Sequence, residues 1–487
     1  MYDRRMPTSN NDLIETMETP DNFQIAIDRQ ARTPLAGQIH HAIGQAIREG
    51  QLAPGARLPS WRDLASQLGV ARGTVRAAYE RLVDEQLLVP AGAAGTFVSR
   101  HAIPAPPPPS PGDTAPVPDL IQRFSARPMP FQMGLPGQDT FPATVWSRLF
   151  TQAAREMATG PMGYPDPRGE PRLREQIAAY LALARGVACS PAQVLITAGF
   201  SGALNLVIRA LGLEGQTAWM EDPGFPLTRR ALALAGMRLA HVPVDAQGLD
   251  VEAGLRMAPD AALAVVTPGQ QAPLGVTMAP ARRRALLDWA AGQGAWVVED
   301  DFLSELHLRG RAAPALAALD GAGRVLHIGT FSKTISPLLR LGFIVVPAAN
   351  ARHFTEVAAC LAPAPTPTPQ LVLAEFMRQG HYLRHLRRMK RLYAARRDAL
   401  VACLARLPLD AQTGPAGLAV HLALPDGTDD VGIARRALEH GIAPGPLSNW
   451  FVSLPPRPGL MLAVSNVSEA TLEADCRELL RLIHEAA

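Results

Sequence analysis

The sequence predicts an α/β protein. A large domain with a mostly parallel sheet carries a smaller α+β subdomain at its C-terminal end, and a helix-turn-helix unit with a following strand precedes it. Three observations predict this. The short apolar runs QVLIT, LAVVTP, AWVVED, RVLHIGT and LGFIVVP alternate with helical patterns through the second part of the chain, as parallel strands joined by helical crossovers do. The stretch LPSWRDLASQLGVARGTVRAAYERL reads as two short helices around a Gly-containing turn. Between these parts lies HAIPAPPPPSPGDTAPVPDL, where proline removes backbone donors and fixes φ, the composition of an extended linker.

The totals set limits. A chain of 487 residues suggests two or three domains, and 47% hydrophobic residues suffice for a large core. The formal net charge of +3 neither requires nor excludes nucleic acid, so a DNA-binding surface must come from local placement of charge. Cys189, Cys360, Cys403 and Cys476 are far apart and form no CxxC pair, which argues against a zinc site or disulfide framework and for reduced thiols in the cytoplasm. The N-terminal residues lack the apolar core of a signal peptide, and no run of apolar residues is long enough to span a membrane.

In chain order, residues 1–22 are polar and expected to be flexible. Residues 23–100 form the first domain, 101–128 the proline-rich linker and 129–487 the large domain. The first helix carries Leu35, Ile39, Ile43 and Ile47 on one stripe and stops at Glu49-Gly50. Ser60 is the expected N-cap of the second helix, with Asp63 three residues later. Leu64, Ala65 and Leu68 face inward, and Gly69 makes the turn. Val75, Ala78, Tyr79 and Leu82 form the inner face of the third helix, which leaves Arg72, Thr74 and Arg76 at its exposed start, where base edges and phosphates are met in a major groove. AGTFVS reads as the strand of a wing. From Arg29 to Arg100 there are nine arginines against five acidic residues.

This stretch resembles the winged-helix domain of the GntR regulator family through LPSWRDLASQLGVARGTVRAAYERL. The resemblance implies that Ser60, Arg62, Arg72, Thr74 and Arg76 contact a double-stranded DNA operator. One feature departs from the family pattern: the wing reads VPAGAAGTFV, without the usual basic residue before its glycines.

In the large domain the chemistry centres on GTFSKT. Only two lysines, Lys333 and Lys390, stand among 47 basic Lys and Arg residues. A lysine amine can lose its proton and attack a carbonyl, whereas a guanidinium cannot. Lys333, at the end of an apolar strand, therefore points to a Schiff base with pyridoxal 5'-phosphate, which needs a lysine, an acid for its ring nitrogen, a phosphate cup and an aromatic face. Asp300, after a strand ending at Val298, is the preferred acid, with Asp301 beside it. Phe200 and Ser201 in TAGFSGAL, with Thr330, Ser332 and Arg340, are candidates for the cup, because a helix N-terminus and a guanidinium both favour an anion. Phe225 in EDPGFP is the candidate face. Singly each has a bland explanation: an Asp after a strand is often a helix cap, and a lone Phe is often core. Lys390, in RHLRRMKRLYAARRDAL, reads as a surface lysine on a basic helix face.

The motifs GYPDPRGEPRLREQIAAYLALARGV, EDPGFP, VTPGQQAPLGVTM, VVEDDFLSELHLRGR and IGTFSKTISPLLRLGFIVVP resemble the aminotransferase-like domain of MocR/GabR regulators. That family joins a GntR winged helix to a fold-type-I pyridoxal phosphate domain. The resemblance implies that Lys333 holds the cofactor covalently, Asp300 pairs its ring nitrogen, Arg340 and the Ser201 loop hold its phosphate, and Phe225 stacks on its ring. It also implies a head-to-tail homodimer. Phe302 stands where the family has a tyrosine, Gln270 where a histidine is usual, and Phe225 where a tyrosine is usual, so two hydroxyls are lost. Gln271 is left as a candidate for the cofactor's phenolic oxygen. An effector carboxylate would be clamped by Arg229, which matches an arginine of the family pattern, or by Arg457 in LPPRPGLML. The strand LMLAVSN lacks the arginine that many aminotransferases carry there.

Two functions fit these residues. One is a transcription regulator that binds pyridoxal 5'-phosphate and senses it or an amine or amino-acid effector. The other is an active aminotransferase with an appended DNA-binding domain. The winged helix, the linker and the lost hydroxyls favour the regulator, with at most weak transaminase activity.

Overall fold

The structure is a computed structural model, and it describes residues 25–100, 128–308, 310, 312–408, 411–412 and 417–486. Residues 1–22 and nearly all of the proline-rich linker lie outside the described residues. The chain divides into two compact units at residues 125 and 126.

In the first unit α1 spans Leu35–Arg48, β1 Arg57–Leu58, α2 Trp61–Leu68, α3 Arg72–Asp84, β2 Leu88–Pro90 and β3 Thr96–Val98. The Ser60 hydroxyl caps α2 by accepting from the Asp63 amide at 3.2 Å, and Gly69 ends it in the left-handed region at φ 59°, where glycine carries no steric penalty. Ile39, Ile43, Leu64, Val75, Tyr79 and Leu82 close one core. The three strands form an antiparallel sheet in the order β1-β3-β2, so the expected wing strand pairs on both sides.

The second unit begins with α4 (Ala143–Thr159) and α5 (Pro171–Ala184). Then come β4 (Val194–Thr197), α6 (Gly199–Leu211), β5 (Thr217–Asp222), α7 (Pro226–Leu234), β6 (Arg238–Asp245), β7 (Gly248–Leu249), α8 (Val251–Met257), β8 (Leu263–Val266), α9 (Pro280–Gln293), β9 (Trp296–Asp301), β10 (Val325–Thr330) and β11 (Gly342–Val345). These eight strands make one sheet in the order β4-β11-β10-β9-β8-β5-β6-β7. Its centre, β10-β9-β8-β5-β6, is parallel, and β4, β11 and β7 pair antiparallel. The five apolar runs expected as strands all lie in it.

Alternation along the strands assigns the two faces. Val298, Leu326, Ile328 and Val265 pack with α6 in one core. Val297, Val325, Ala264 and Val266 pack with Trp289 of α9 in another. The same alternation puts Asp300 on the α6 side of β9, and Glu299 and Asp301 on the opposite side. β9 runs through Asp301, so Asp300 lies within the strand rather than after it, as the sequence suggested.

The C-terminal part holds α10 (Ala351–Leu361), α11 (Pro367–Arg378), α12 (His381–Leu404), β12 (Ala411–Gln412), β13 (Ala419–Ala423), α13 (Asp430–Glu439), β14 (Gly445–Pro446), β15 (Gly459–Ala463) and α14 (Leu472–His484). The strands form an antiparallel sheet, β12-β13-β15-β14, the expected α+β subdomain. Phe131 bridges to Ala463, which ties the segment before α4 to this sheet.

Candidate functional site

Lys333 follows β10 in the turn that leads to β11. Its Nζ donates to the Gly134 carbonyl at 2.6 Å. Gly134 has φ +81°, and a Cβ there would lie 3.2 Å from Nζ, so glycine is what lets the backbone reach the amine. Burial pushes the Lys333 amine below its ordinary value, and the Asp300 carboxylate opposes that shift. The Asp300 carboxyl is pushed up to about 8, by burial first and then by the neighbouring Asp301 and Glu221 carboxylates, while Lys333 pulls it down. The two effects are consistent: amine and carboxyl share a poorly solvated space in which each partly compensates the other.

Asp301 is spent elsewhere. On the far side of the sheet it accepts from Arg185 Nε at 2.7 Å. There His327 and Glu299 form a second buried pair, Nδ1 to Oε2 at 2.9 Å. Of the two adjacent aspartates, only Asp300 faces Lys333 without a guanidinium partner.

The start of α6 is the candidate anion cradle. Gly199 has φ +73°, and no side chain caps the helix, so its first-turn amides are open to a ligand. Ser201 is exposed and Phe200 half-buried in that first turn. Arg340 comes from the turn before β11, with Nη2 3.4 Å from the Ala198 carbonyl. Its backbone is left-handed at φ +49°, a conformation that costs a non-glycine residue on the order of 1 kcal/mol. The Thr330 hydroxyl donates to Ser332 Oγ at 3.0 Å and lies beside Lys333 in sequence. A phosphate monoester fits this donor set.

Phe225, Arg229 and Gln271 lie around the segment after β5 and the 449–454 turn. Phe225 is the N-cap of α7, and its ring lies 5.5 Å from that of Trp450 at 37°. Arg229 donates to the carbonyls of Trp450 and Asn449, each at 3.3 Å. Burial lowers its guanidinium, and Asp222 opposes that. Asp222 accepts from the amides of Val452, Ser453 and Leu454, which fixes the turn. Arg457 is exposed beyond it on the way to β15. Gln271 is buried, and its amide nitrogen donates to the carbonyls of Pro223 and Ala272 at 2.8 Å each. Both N–H groups are committed there, so Gln271 braces the loop between Glu221 and Phe225 instead of presenting a donor to a cofactor oxygen. Phe302 is half-buried directly after β9.

On the first unit, Arg62, Arg72 and Arg76 are exposed and Thr74 is half-covered at the start of α3. The Arg62 guanidinium lies 4.8 Å from the Trp61 ring, and Arg76 Nε bonds Glu80 at 2.8 Å. Tyr79 donates to the Pro59 carbonyl at 2.8 Å, which locks α3 to the turn that presents Ser60.

Several contributors had no signal in the sequence. Gly134, Trp450 and Arg185 reach their partners from more than a hundred residues away. Arg29 holds the α2–α3 turn by donating to the Gly69 carbonyl at 2.8 Å. Lys390 is not the surface lysine expected: it is half-buried, its amine lowered by burial and opposed by Glu305.

Comparison with known proteins bears on both units. Residues 35–98 match the bacterial regulatory proteins of the gntR family. Residues 136–473 match aminotransferase class I and II. The chain is 35% identical over 469 residues to a probable rhizopine catabolism regulatory protein, MocR, of Rhizobium meliloti, covering 93% of this chain and 95% of that one. It is 30% identical to the pyridoxine biosynthesis transcriptional regulator PdxR of Corynebacterium glutamicum, over 93% of this chain and 96% of that one. Among solved structures, the Pyrococcus horikoshii kynurenine aminotransferase superposes with a TM-score of 0.67 at 25% identity, over 75% of this chain and 93% of that one. With a gntR-family unit and a class I and II aminotransferase unit in one chain, aligned almost end to end with such regulators, the protein belongs to the MocR family of transcription regulators.

Proposed function

We propose that this regulator binds pyridoxal 5'-phosphate at Lys333 and changes its grip on operator DNA when the cofactor or an amine or amino-acid effector occupies the site. The observation that carries the reading is the Lys333–Asp300 pair facing the α6 side of the sheet, where Arg340 stands beside an uncapped helix N-terminus. When bound, the cofactor supplies an aldehyde that condenses reversibly with amines. The chain's own residues do the rest. Burial favours the neutral, nucleophilic form of Lys333. Asp300 offers negative charge to a protonated ring nitrogen. Arg340, Ser201, Thr330 and Ser332 hold the phosphate, and Phe225 covers one face of the ring. Arg229 meets an effector carboxylate.

Phe302 and Phe225 pack but donate no hydrogen bond, which favours sensing over turnover. The alternative, an active aminotransferase, would use the same lysine and aspartate. A homodimer completes the proposal: Met162 and Tyr164 are fully exposed, apolar surface that a second subunit would cover. The test is fluorescence anisotropy of the full chain on duplex DNA from upstream of its own coding region, with and without pyridoxal 5'-phosphate and a panel of amines. A ligand-dependent change in affinity is expected. Ligand-independent binding, with transamination at enzyme-like rates of about 1 s⁻¹ or more, would replace the sensor with the enzyme.

A further inference from the structure

Tyr382, His385, Met389 and Tyr393 of α12 recur at spacings of three and four residues, so they share one face of the helix. All four are buried, and three of them carry polar groups, whose burial costs free energy unless each finds a hydrogen-bond partner. The partners lie on either side of the Lys333 amine. His385 Nε2 donates to the Thr334 carbonyl at 2.6 Å, and the Tyr382 hydroxyl donates to Thr334 Oγ1 at 3.3 Å. Thr334 follows Lys333 directly and is fully buried. The Tyr382 ring also stands edge-on to that of Phe331 at 5.9 Å, two residues before Lys333. About two turns further along α12, the Tyr393 hydroxyl accepts from the Gly137 amide at 2.7 Å and also bonds Thr140. Arg396 reaches the Asp139 carboxylate at 2.7 Å. Residues 137–139 continue the segment from Gly134, whose carbonyl receives the Lys333 amine. His385 and Tyr393 stand about 12 Å apart along one helix, so a single element holds both the donor and the acceptor of that bond.

We propose that His385 and Tyr393 are positioning residues for Lys333: His385 holds the turn that carries the amine, and Tyr393 holds the segment whose Gly134 carbonyl receives it. This rests on the reading of Lys333 as the anchor of the cofactor, but the geometry it concerns is present without cofactor. The experiment uses the cofactor-free full chain, labelled competitively with acetic anhydride across a range of pH and mapped by peptide. The two lysines of the chain report separately, Lys333 on its own position and Lys390 on the packing of α12. His385→Leu and Tyr393→Phe are expected to raise the pH midpoint of Lys333 labelling, because an amine released from a buried place regains water, and to leave that of Lys390 unmoved. His385→Gln, whose amide nitrogen takes the place of Nε2, is expected to restore the wild-type midpoint. His385→Asn, whose amide nitrogen takes the place of Nδ1, is expected not to. Uptake of pyridoxal 5'-phosphate, followed by visible absorbance, is expected to weaken about tenfold in His385→Leu, the order of one buried hydrogen bond. If His385→Leu does not fold, His385→Gln against His385→Asn, with Tyr393→Phe, decides the matter in its place. An unchanged Lys333 midpoint in these variants overturns the proposal, and so does a shift shared by Lys333 and Lys390, which marks a packing defect. Failure of the wild type to take up pyridoxal 5'-phosphate overturns the cofactor reading, while the labelling still decides what α12 does for Lys333.

Discussion

Asp300 and Lys333 set the behaviour of the pocket through what burial does to each. The Asp300 carboxyl is raised to about 8 from an ordinary 3.8, so the folded chain binds a proton that the unfolded chain releases. The stability from this group is full below its ordinary value and is lost as pH rises through about 8. In cofactor-stripped protein, the thermal midpoint of the wild type should fall between about pH 5 and pH 8 more steeply than that of Asp300→Asn, which cannot ionise. Parallel curves would mean that Asp300 is solvated. The sequence made both residues legible through chemistry: a lysine in a chain that otherwise uses arginine, and an acid on an apolar strand. The sequence favoured Asp300 over Asp301, but no local pattern gave the physical ground for it. That choice depends on Arg185, which reaches Asp301 across 116 positions of sequence and has no local pattern to announce it.

The helices and strands were legible where local periodicity was strong. Ser60, Gly69 and the stripe Val75, Ala78, Tyr79 and Leu82 specify α2, the turn and α3 by capping, left-handed backbone and 3.6-residue spacing. The end of β9 was not legible, because Glu299, Asp300 and Asp301 are poor strand formers that hold their place by hydrogen bonds to neighbouring strands and by buried ion pairs. At this scale the claim to test is that α3 enters DNA by its exposed start. Arg72→Ala should reduce duplex affinity by about tenfold, the order of one good base or phosphate contact, and leave cofactor uptake untouched. Equal affinity of variant and wild type at moderate salt would move the recognition surface away from α3.

Across the whole molecule, the division of labour follows from the two cores. The first unit encloses its own apolar cluster around α1–α3, and the second is organised by a sheet whose two faces carry separate clusters. A ligand at Lys333 can alter DNA affinity only if it favours one state of the protein over another, and the effector response measures that difference. The first quantity to establish is whether Lys333 holds the cofactor at all. The most direct measurement is the visible absorption spectrum of the full chain with pyridoxal 5'-phosphate, followed by borohydride reduction and peptide mapping, with Lys333→Ala in parallel. The expected result is a yellow species whose reduced adduct maps to the peptide containing Lys333 and is missing from the variant. An adduct on Lys390, or the same adduct in Lys333→Ala, would contradict it.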